Sequence, residues 1–252
     1  MLEALRELRL VESERLLLHE ARDPARLRRL RDAMEEEGVQ SHPVIVTPHG
    51  DRYLVLDGAH RVGALHQLGC RLVMTQVVEP PELVESWNHL LRGGDVLPAL
   101  RSLESVEVSG SGEGPYLARV AAAGEEAFVR AREPGLLPEV RALWEVQGVF
   151  PEEVRRVAPG EPVELSPGGE ELVSYRDFTV GELVEVVNRG GELPAGITRF
   201  RVQSRVLGVR FPLEKMMDSE VAARNGELEE HVRSYWERSR VRYYEEPVVM
   251  FE

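Results

Sequence analysis

Residues 53–69, YLVLDGAHRVGALHQLG, place an aspartate, a glycine, a histidine and an arginine where an apolar run gives way to a helical pattern. Asp57 closes the run, and Gly58, Ala59, His60 and Arg61 open the helix. A helix N-terminus offers unpaired N–H groups and the positive end of its dipole, a combination that binds phosphate. Gly58 lets a ligand approach the backbone. Arg61 adds a planar fork of donors suited to phosphate oxygens, and Asp57 can hold a Mg2+ ion bridging such oxygens. The chemistry on offer is a nucleotide-phosphate cradle without a P-loop: there is no G-x-x-x-x-G-K-[ST], and Lys215 is the sole lysine. On spacing alone a structural alternative stays open, in which Asp57 caps the helix and Arg61 pairs with it at the surface.

The elements that must position these residues are legible in part. Residues 7–18 carry the weak alternation of a strand. Asp23-Pro24 joins an N-cap to a proline at the first helical position; Leu27, Leu30 and Met34 share a face, and Gly38 stops the helix. Pro43–Thr47 and Arg52–Leu56 are short strands joined by the turn PHGD. The helix from Gly58 to Leu68 turns Val62, Leu65 and Leu68 inward and ends at Gly69, and Arg71–Val78 returns as a strand. Residues 1–80 thus form an α/β unit, with a break at Pro80-Pro81.

A second unit, 81–252, begins with a predicted helix over Glu82–Leu91 that carries Trp87. A β-rich stretch follows over 104–132, then short apolar runs between Pro and Gly turns over 133–178. The capping box Thr179–Glu182 opens a helix. Residues 193–213 read as an extended strand or strand pair, 218–238 as an acidic helix, and the C-terminus from Val241 as strand-like. The fold class is α/β (α+β) in two domains.

Composition narrows the function. The formal charge is −13 over 252 residues, which argues against broad nucleic-acid binding. No apolar run reaches the length of a membrane span. A single cysteine, Cys70, leaves no internal disulfide and suits a reducing cytoplasm. The histidines show no metal-ligand spacing. Trp236 and the pair Tyr243-Tyr244 are candidates for a homodimer interface or for packing within the second unit.

The stretch DGAHRVGALHQLG resembles the signature of the ParB/sulfiredoxin superfamily, whose core G-x-x-R-x-x-A is met by Gly58, Arg61 and Ala64. The preceding helix, Gly38-VQSHPVIV and YLVLDG fit in order and spacing over the first third of the chain. Sulfiredoxins work through a cysteine in G-C-H-R; Ala59 stands there, and Cys70 lies at the far end of the helix. ParB partition proteins follow the core with helix-turn-helix segments, which implies the alternative of a nucleotide-responsive DNA-binding regulator. The free L-serine kinases are resembled over most of the chain. They share D-G-A-H-R, the His19-Glu20 pair ahead of Asp23-Pro24, a tryptophan at Trp87, and the segment Leu193-PAGI-Thr198-Arg199. Siderophore-linked members have the same GITRF-like segment. Residues 95–175 match nothing position by position.

This resemblance implies phosphoryl transfer from ATP or ADP, with Mg2+, to the hydroxyl of L-serine, giving O-phosphoserine in a cleft between the two units. Glu20 would be the general base and Asp57 the Mg2+ or phosphate ligand. Gly58, Ala59, His60 and Arg61 would cradle the phosphates. Thr198 and Arg199 would hold the serine carboxylate, Trp87 would wall the serine pocket, and Ser41 would touch substrate at its edge. Arg199 without this context is one of a run of arginines with Arg201, Arg205 and Arg210.

Overall fold

The structure, a computed structural model, describes residues 3–93, 95–122, 124–166 and 169–244. The first part runs α1 (Glu3–Arg6), β1 (Leu8–Glu12), β2 (Leu16–Leu17), α2 (Pro24–Glu37), β3 (Val39–Gln40), β4 (Val44–His49), β5 (Arg52–Asp57), α3 (Ala59–Gln67) and β6 (Leu72–Val77). Five of these strands form a sheet in the order β1-β6-β4-β5-β2. β4 runs parallel to β6 and β2 parallel to β5, while β1–β6 and β4–β5 are antiparallel. The run Val44–Val46 and the run Leu54–Leu56 are buried. Such continuous apolar runs mark strands covered on both faces.

α2 starts as its sequence dictates. The Asp23 carboxylate accepts from the Arg26 N–H at 2.6 Å, Pro24 is the first helical residue, and Gly38 closes the helix at φ 66°. α3 starts differently: Gly58 is its N-cap at φ 107°, and no side chain caps it. A Cβ at Gly58 would lie 2.9 Å from Nε of Arg61 and 3.1 Å from Cγ2 of Val44. Both the dihedral and the crowding call for glycine.

The second part comprises β7 (Glu85–Ser86), β8 (Asn88–Arg92), α4 (Val96–Arg101), β9 (Val106–Ser109), β10 (Ala118–Ala122), β11 (Glu125–Ala131), α5 (Leu136–Gly148), β12 (Val154–Val157), β13 (Glu170–Tyr175) and α6 (Val180–Asn188). Six strands form a sheet in the order β12-β8-β13-β10-β11-β9, antiparallel throughout. Leu91, Val120, Val129 and Val173 from this sheet share a core with Leu143 and Val146 of α5 and Leu183 and Val186 of α6. The α6 capping box is present in both directions, between Thr179 and Glu182. The helices of this part are separated from one another by strands, unlike a helix-turn-helix.

Four expectations are corrected. Glu82–Leu91 is not a helix: it forms β7 and β8, and β8 lies between β12 and β13. Pairing on both edges and burial of His89, Leu90 and Leu91 override a weak local helical preference. Residues 133–178 contain a 13-residue helix, α5, which the Pro-Gly punctuation hid because Gly135 caps it without a side chain. Residues 193–213 are extended but hold only two short strands, β14 (Thr198–Arg199) and β15 (Phe211–Pro212), paired with β7 and β3. At the C-terminus, expected to be strand-like from Val241, Val241–Tyr244 are not in a strand, and the remainder lies outside the described residues.

The end of the chain returns to the first sheet. Phe211, Leu213, Met216, Leu228 and Val232 share a core with Val44, Val46, Leu72 and Met74. In α7 (Val221–Glu237), Asn225 bonds both backbone groups of Leu10, at 2.8 and 3.0 Å. Fully buried Gln40 bridges this return to β6: its amide accepts from Met74 N–H at 2.9 Å and donates to Met74 C=O at 2.7 Å, while its backbone register opposes Phe211. Gln40→Leu would strand both Met74 groups, so a loss of about 2–4 kcal/mol in urea unfolding is expected; a loss under about 0.5 kcal/mol would contradict this account of Gln40.

Candidate active site

A cleft of about 1270 Å³ opens between the first sheet's helices and the segment 195–210. Glu20, Ser41, Asp57, Gly58, Ala59, His60, Arg61, Trp87, Thr198 and Arg199 all line it. Ten positions scattered over most of the sequence thus face one space. Eight arginines line it, against three carboxylates, Glu20, Glu37 and Asp57. An acidic protein therefore presents a cationic cleft, which concentrates anionic ligands.

Glu20 is fixed from the far end of the chain. Residues 19–21 run beside Leu193: Leu193 N–H donates to His19 C=O at 2.7 Å, and Ala21 N–H to Leu193 C=O at 2.8 Å. Just beyond, the Glu20 carboxylate accepts from Gly196 N–H at 3.0 Å and from both the N–H and the hydroxyl of Thr198 at 2.5 Å. His19 is buried beneath, its Nε2 at 2.8 Å from Thr198 Oγ1. Burial lowers the pKa of His19, against the pull of the Glu20 charge. His89 supports Gly196 in the same way, with Nε2 at 2.9 Å from its carbonyl and Nδ1 at 2.9 Å from the Tyr175 hydroxyl. Burial pushes the His89 pKa down to about 4 and that of Tyr175 up.

The N-terminus of α3 forms another wall. The first intrahelical bond runs from Val62 N–H to Gly58 C=O, so the amides of Ala59, His60 and Arg61 precede the ladder. His60 does not offer Nε2 as a donor, because that atom accepts from Asp23 N–H at 2.9 Å. Burial, then the nearby arginines, lower its pKa. Asp57 does not cap the helix. Its Oδ2 accepts from Arg61 at 3.2 Å and from Arg205 at 2.5 Å. Burial alone would raise the Asp57 pKa, but these two guanidiniums outweigh it and hold the carboxyl below its ordinary value. Arg61 is further anchored on Pro43 C=O at 3.0 Å.

Arg199 stacks on the ring of half-buried Trp87, 5.1 Å from its centroid, and pairs with Glu85. Ser41 stands at the other edge of the cleft, its hydroxyl donating to Glu37 at 3.2 Å. The Thr198 donors are committed to Glu20, so this residue acts on the carboxylate. Several participants escaped the sequence: Arg205, Glu85, Gly196, His89 and Tyr175. Arg201, Arg205 and Arg210, read as a surface run, each pair with a carboxylate, Glu85, Asp57 and Glu37. No periodicity announces such pairs. Cys70 is buried, and burial pushes its thiol up to about 11, the mark of an inert cysteine.

No protein-family model matches the chain. It is 29% identical over 217 residues to the ATP-dependent L-serine kinase SbnI of Staphylococcus aureus, an alignment covering 82% of each protein. The fold is similar to that of C-terminally truncated SbnI from the same organism, with a TM-score of 0.81 at 23% identity over 94% of this chain and all of that one. It is also similar to a free serine kinase in complex with AMP, with a TM-score of 0.60 at 19% identity over 83% of this chain and 93% of that one. These structural likenesses speak for the fold, and the sequence likeness for kinship. The chain is thus similar in sequence, and similar in fold, to free L-serine kinases of the SbnI type.

Proposed function

We propose that the chain phosphorylates free L-serine on its hydroxyl, with ATP as the phosphoryl donor. The observation that carries this reading is the meeting of a fixed carboxylate and a phosphate-binding helix N-terminus across one cationic cleft. Phosphoryl transfer asks little covalent chemistry of a protein; it needs alignment, charge neutralisation and a base for the attacking hydroxyl. Glu20 is that base, taking the serine proton. The amides of Ala59, His60 and Arg61, with the Gly58 backbone and the Arg61 fork, cradle the phosphates. Arg199 receives the serine carboxylate, Trp87 walls the pocket, Ser41 borders it, and Thr198 aims the base. The nucleotide side belongs to residues 1–80 with the returning segment from Arg205, and the serine side to the remainder of 81–252.

Asp57 leaves Oδ1 clear of hydrogen bonds among the described residues, since both arginines take Oδ2. Mg2+ is held by one or two carboxylates together with phosphate oxygens and water, so Asp57 fits such an ion. When bound, the ion would neutralise phosphate charge.

The proton positions around Glu20 follow from the donors and acceptors. A carboxylate only accepts, so Thr198 gives its hydroxyl proton to Glu20, and His19 must donate from Nε2 to Thr198 Oγ1. The Gly196 carbonyl only accepts, so His89 donates from Nε2 and its Nδ1 accepts from Tyr175. His89, whose Nδ1 accepts, is therefore neutral, in agreement with its pKa lowered to about 4, and burial lowers the pKa of His19 as well. This support fixes the three donors of Gly196 and Thr198 that hold Glu20.

Incubation of the protein with L-serine, Mg2+ and ATP should yield O-phosphoserine by mass spectrometry, and ADP in place of ATP tests the donor. Glu20→Gln should lower kcat by about 100-fold or more with unchanged nucleotide affinity. A wild-type protein that makes no product with either nucleotide would sink the reading.

The neutral histidines also carry a pH dependence. A histidine with a folded pKa depressed to about 4 destabilises the fold as pH drops from its unfolded value of 6.5, because the unfolded chain takes up the proton first. Between pH 7 and pH 5, wild type should lose about 2 kcal/mol more than a His89→Gln variant in urea unfolding. Equal losses would show that His89 is not held neutral.

A further inference from the structure

Arg156 has no role in the account above. It lies on β12 opposite His89 of β8. Successive strand residues point to opposite faces: its neighbour Arg155 lies 3.9 Å from Glu161, whereas Arg156 lines the cleft. The Arg156 guanidinium lies over the backbone of Gly196, so close that a Cβ at Gly196 would collide with it. Gly196 stands at φ 79° and gives its N–H to Glu20. The arginine is thus one residue's breadth from the base, yet it forms no ion pair among the described residues.

Most other arginines of the cleft are neutralised: Arg61 and Arg205 by Asp57, Arg199 and Arg201 by Glu85, Arg210 by Glu37. Arg26 and Arg29 are also without an ion pair among the described residues, but they belong to α2 and the first sheet's side. Arg156 is the cation brought in from the second sheet. Its charge also reaches His60 in the first turn of α3, where, after burial and Arg26, it helps to lower the imidazole pKa. It therefore lies beside the segment that holds Glu20 and lines the same cleft as the first turn of α3.

We propose that Arg156 contacts the outermost phosphoryl group of the nucleotide and stabilises its charge during transfer. In that step the bond from the γ-phosphorus to the β–γ bridging oxygen breaks, and ADP leaves with the electron pair. The serine oxygen forms the new bond to phosphorus, and its proton passes to Glu20. An arginine supplied within the same chain is an established device for neutralising charge in such a transition state. This catalytic role rests on the serine-kinase reading; the contact with the terminal phosphate does not.

The test uses Arg156→Ala and Arg156→Lys in the full chain. Arg156 is exposed, so both variants should fold as wild type does. By calorimetry, Arg156→Ala should bind ATP about 10-fold more weakly than wild type while AMP affinity stays within about twofold. Its kcat should fall about 100-fold or more with the KM for L-serine within about threefold, and added guanidinium ion should restore part of the rate. The lysine variant should retain ATP binding better than the alanine variant but remain slow, because a point charge lacks the fork. ATP and AMP affinities that are both unchanged, or that fall together, would overturn the contact. A kcat within about threefold of wild type would overturn the catalytic role. If wild type makes no phosphoserine, the serine reading falls, and the ATP-against-AMP comparison still decides Arg156.

Discussion

The site depends on one join between distant parts of the chain. The backbone of residues 19–21 is laced to Leu193, and Glu20 is then gripped by donors 176 and 178 residues away. A lone glutamate ahead of a helix is ordinarily a solvated group with many rotamers. Here three donors remove that freedom, and a carboxylate held in one orientation needs no reorganisation when a hydroxyl approaches. The 195–199 segment can grip only because it is itself held: β14 pairs with β7, Trp87 N–H bonds Ile197 C=O at 2.7 Å, and His89 bonds Gly196. The correct placing of β7 and β8 as strands is thus a condition of the geometry around Glu20, not an incidental feature of the second sheet.

The same segment links charge to architecture. Between Arg199 and Arg210 the chain leaves the second sheet and returns to the first, and its arginines meet carboxylates along the way. Exposed ion pairs contribute little to stability. They line the cleft with guanidinium groups. Asp57 shows the balance. Two arginines hold its carboxyl below its ordinary value against the effect of burial, and among the described residues both take the same oxygen. Beneath this charged surface the supports are neutral, since His19, His89 and Tyr175 are buried and shifted away from their charged forms. Neutral donors fix geometry without competing with the cleft's field for an anionic ligand.

The local rules were legible where the sequence carries its own punctuation. Asp23, Pro24 and Gly38 bound α2, and Thr179 and Glu182 start α6, as their chemistry requires. The strand–Asp–Gly–helix passage at Asp57 was readable because only a glycine tolerates φ 107° beside Arg61. Failure came where local preference is weak or its markers mislead. The segment after Pro80-Pro81 has the composition of a helix but is flanked by two strands that claim its backbone. α5 begins at a glycine with no capping side chain. The 193–213 segment has strand-like residues but is held mostly by side chains and by single bridges, which leave no period in the sequence.

By itself the sequence determined the α/β character of the first 80 residues, the glycine-led start of α3, and, through likeness, the candidates Glu20, Asp57, Arg61, Thr198 and Arg199. These are local properties, set by dihedrals, caps and the order of apolar runs. Only the tertiary structure decided that Thr198 serves Glu20, that Arg205 completes Asp57, that the C-terminal helix closes the first sheet through Asn225, and that Arg156 lies over Gly196. Each of these joins residues far apart in sequence, and the bond between them exists only once the two sheets and the returning segment are assembled.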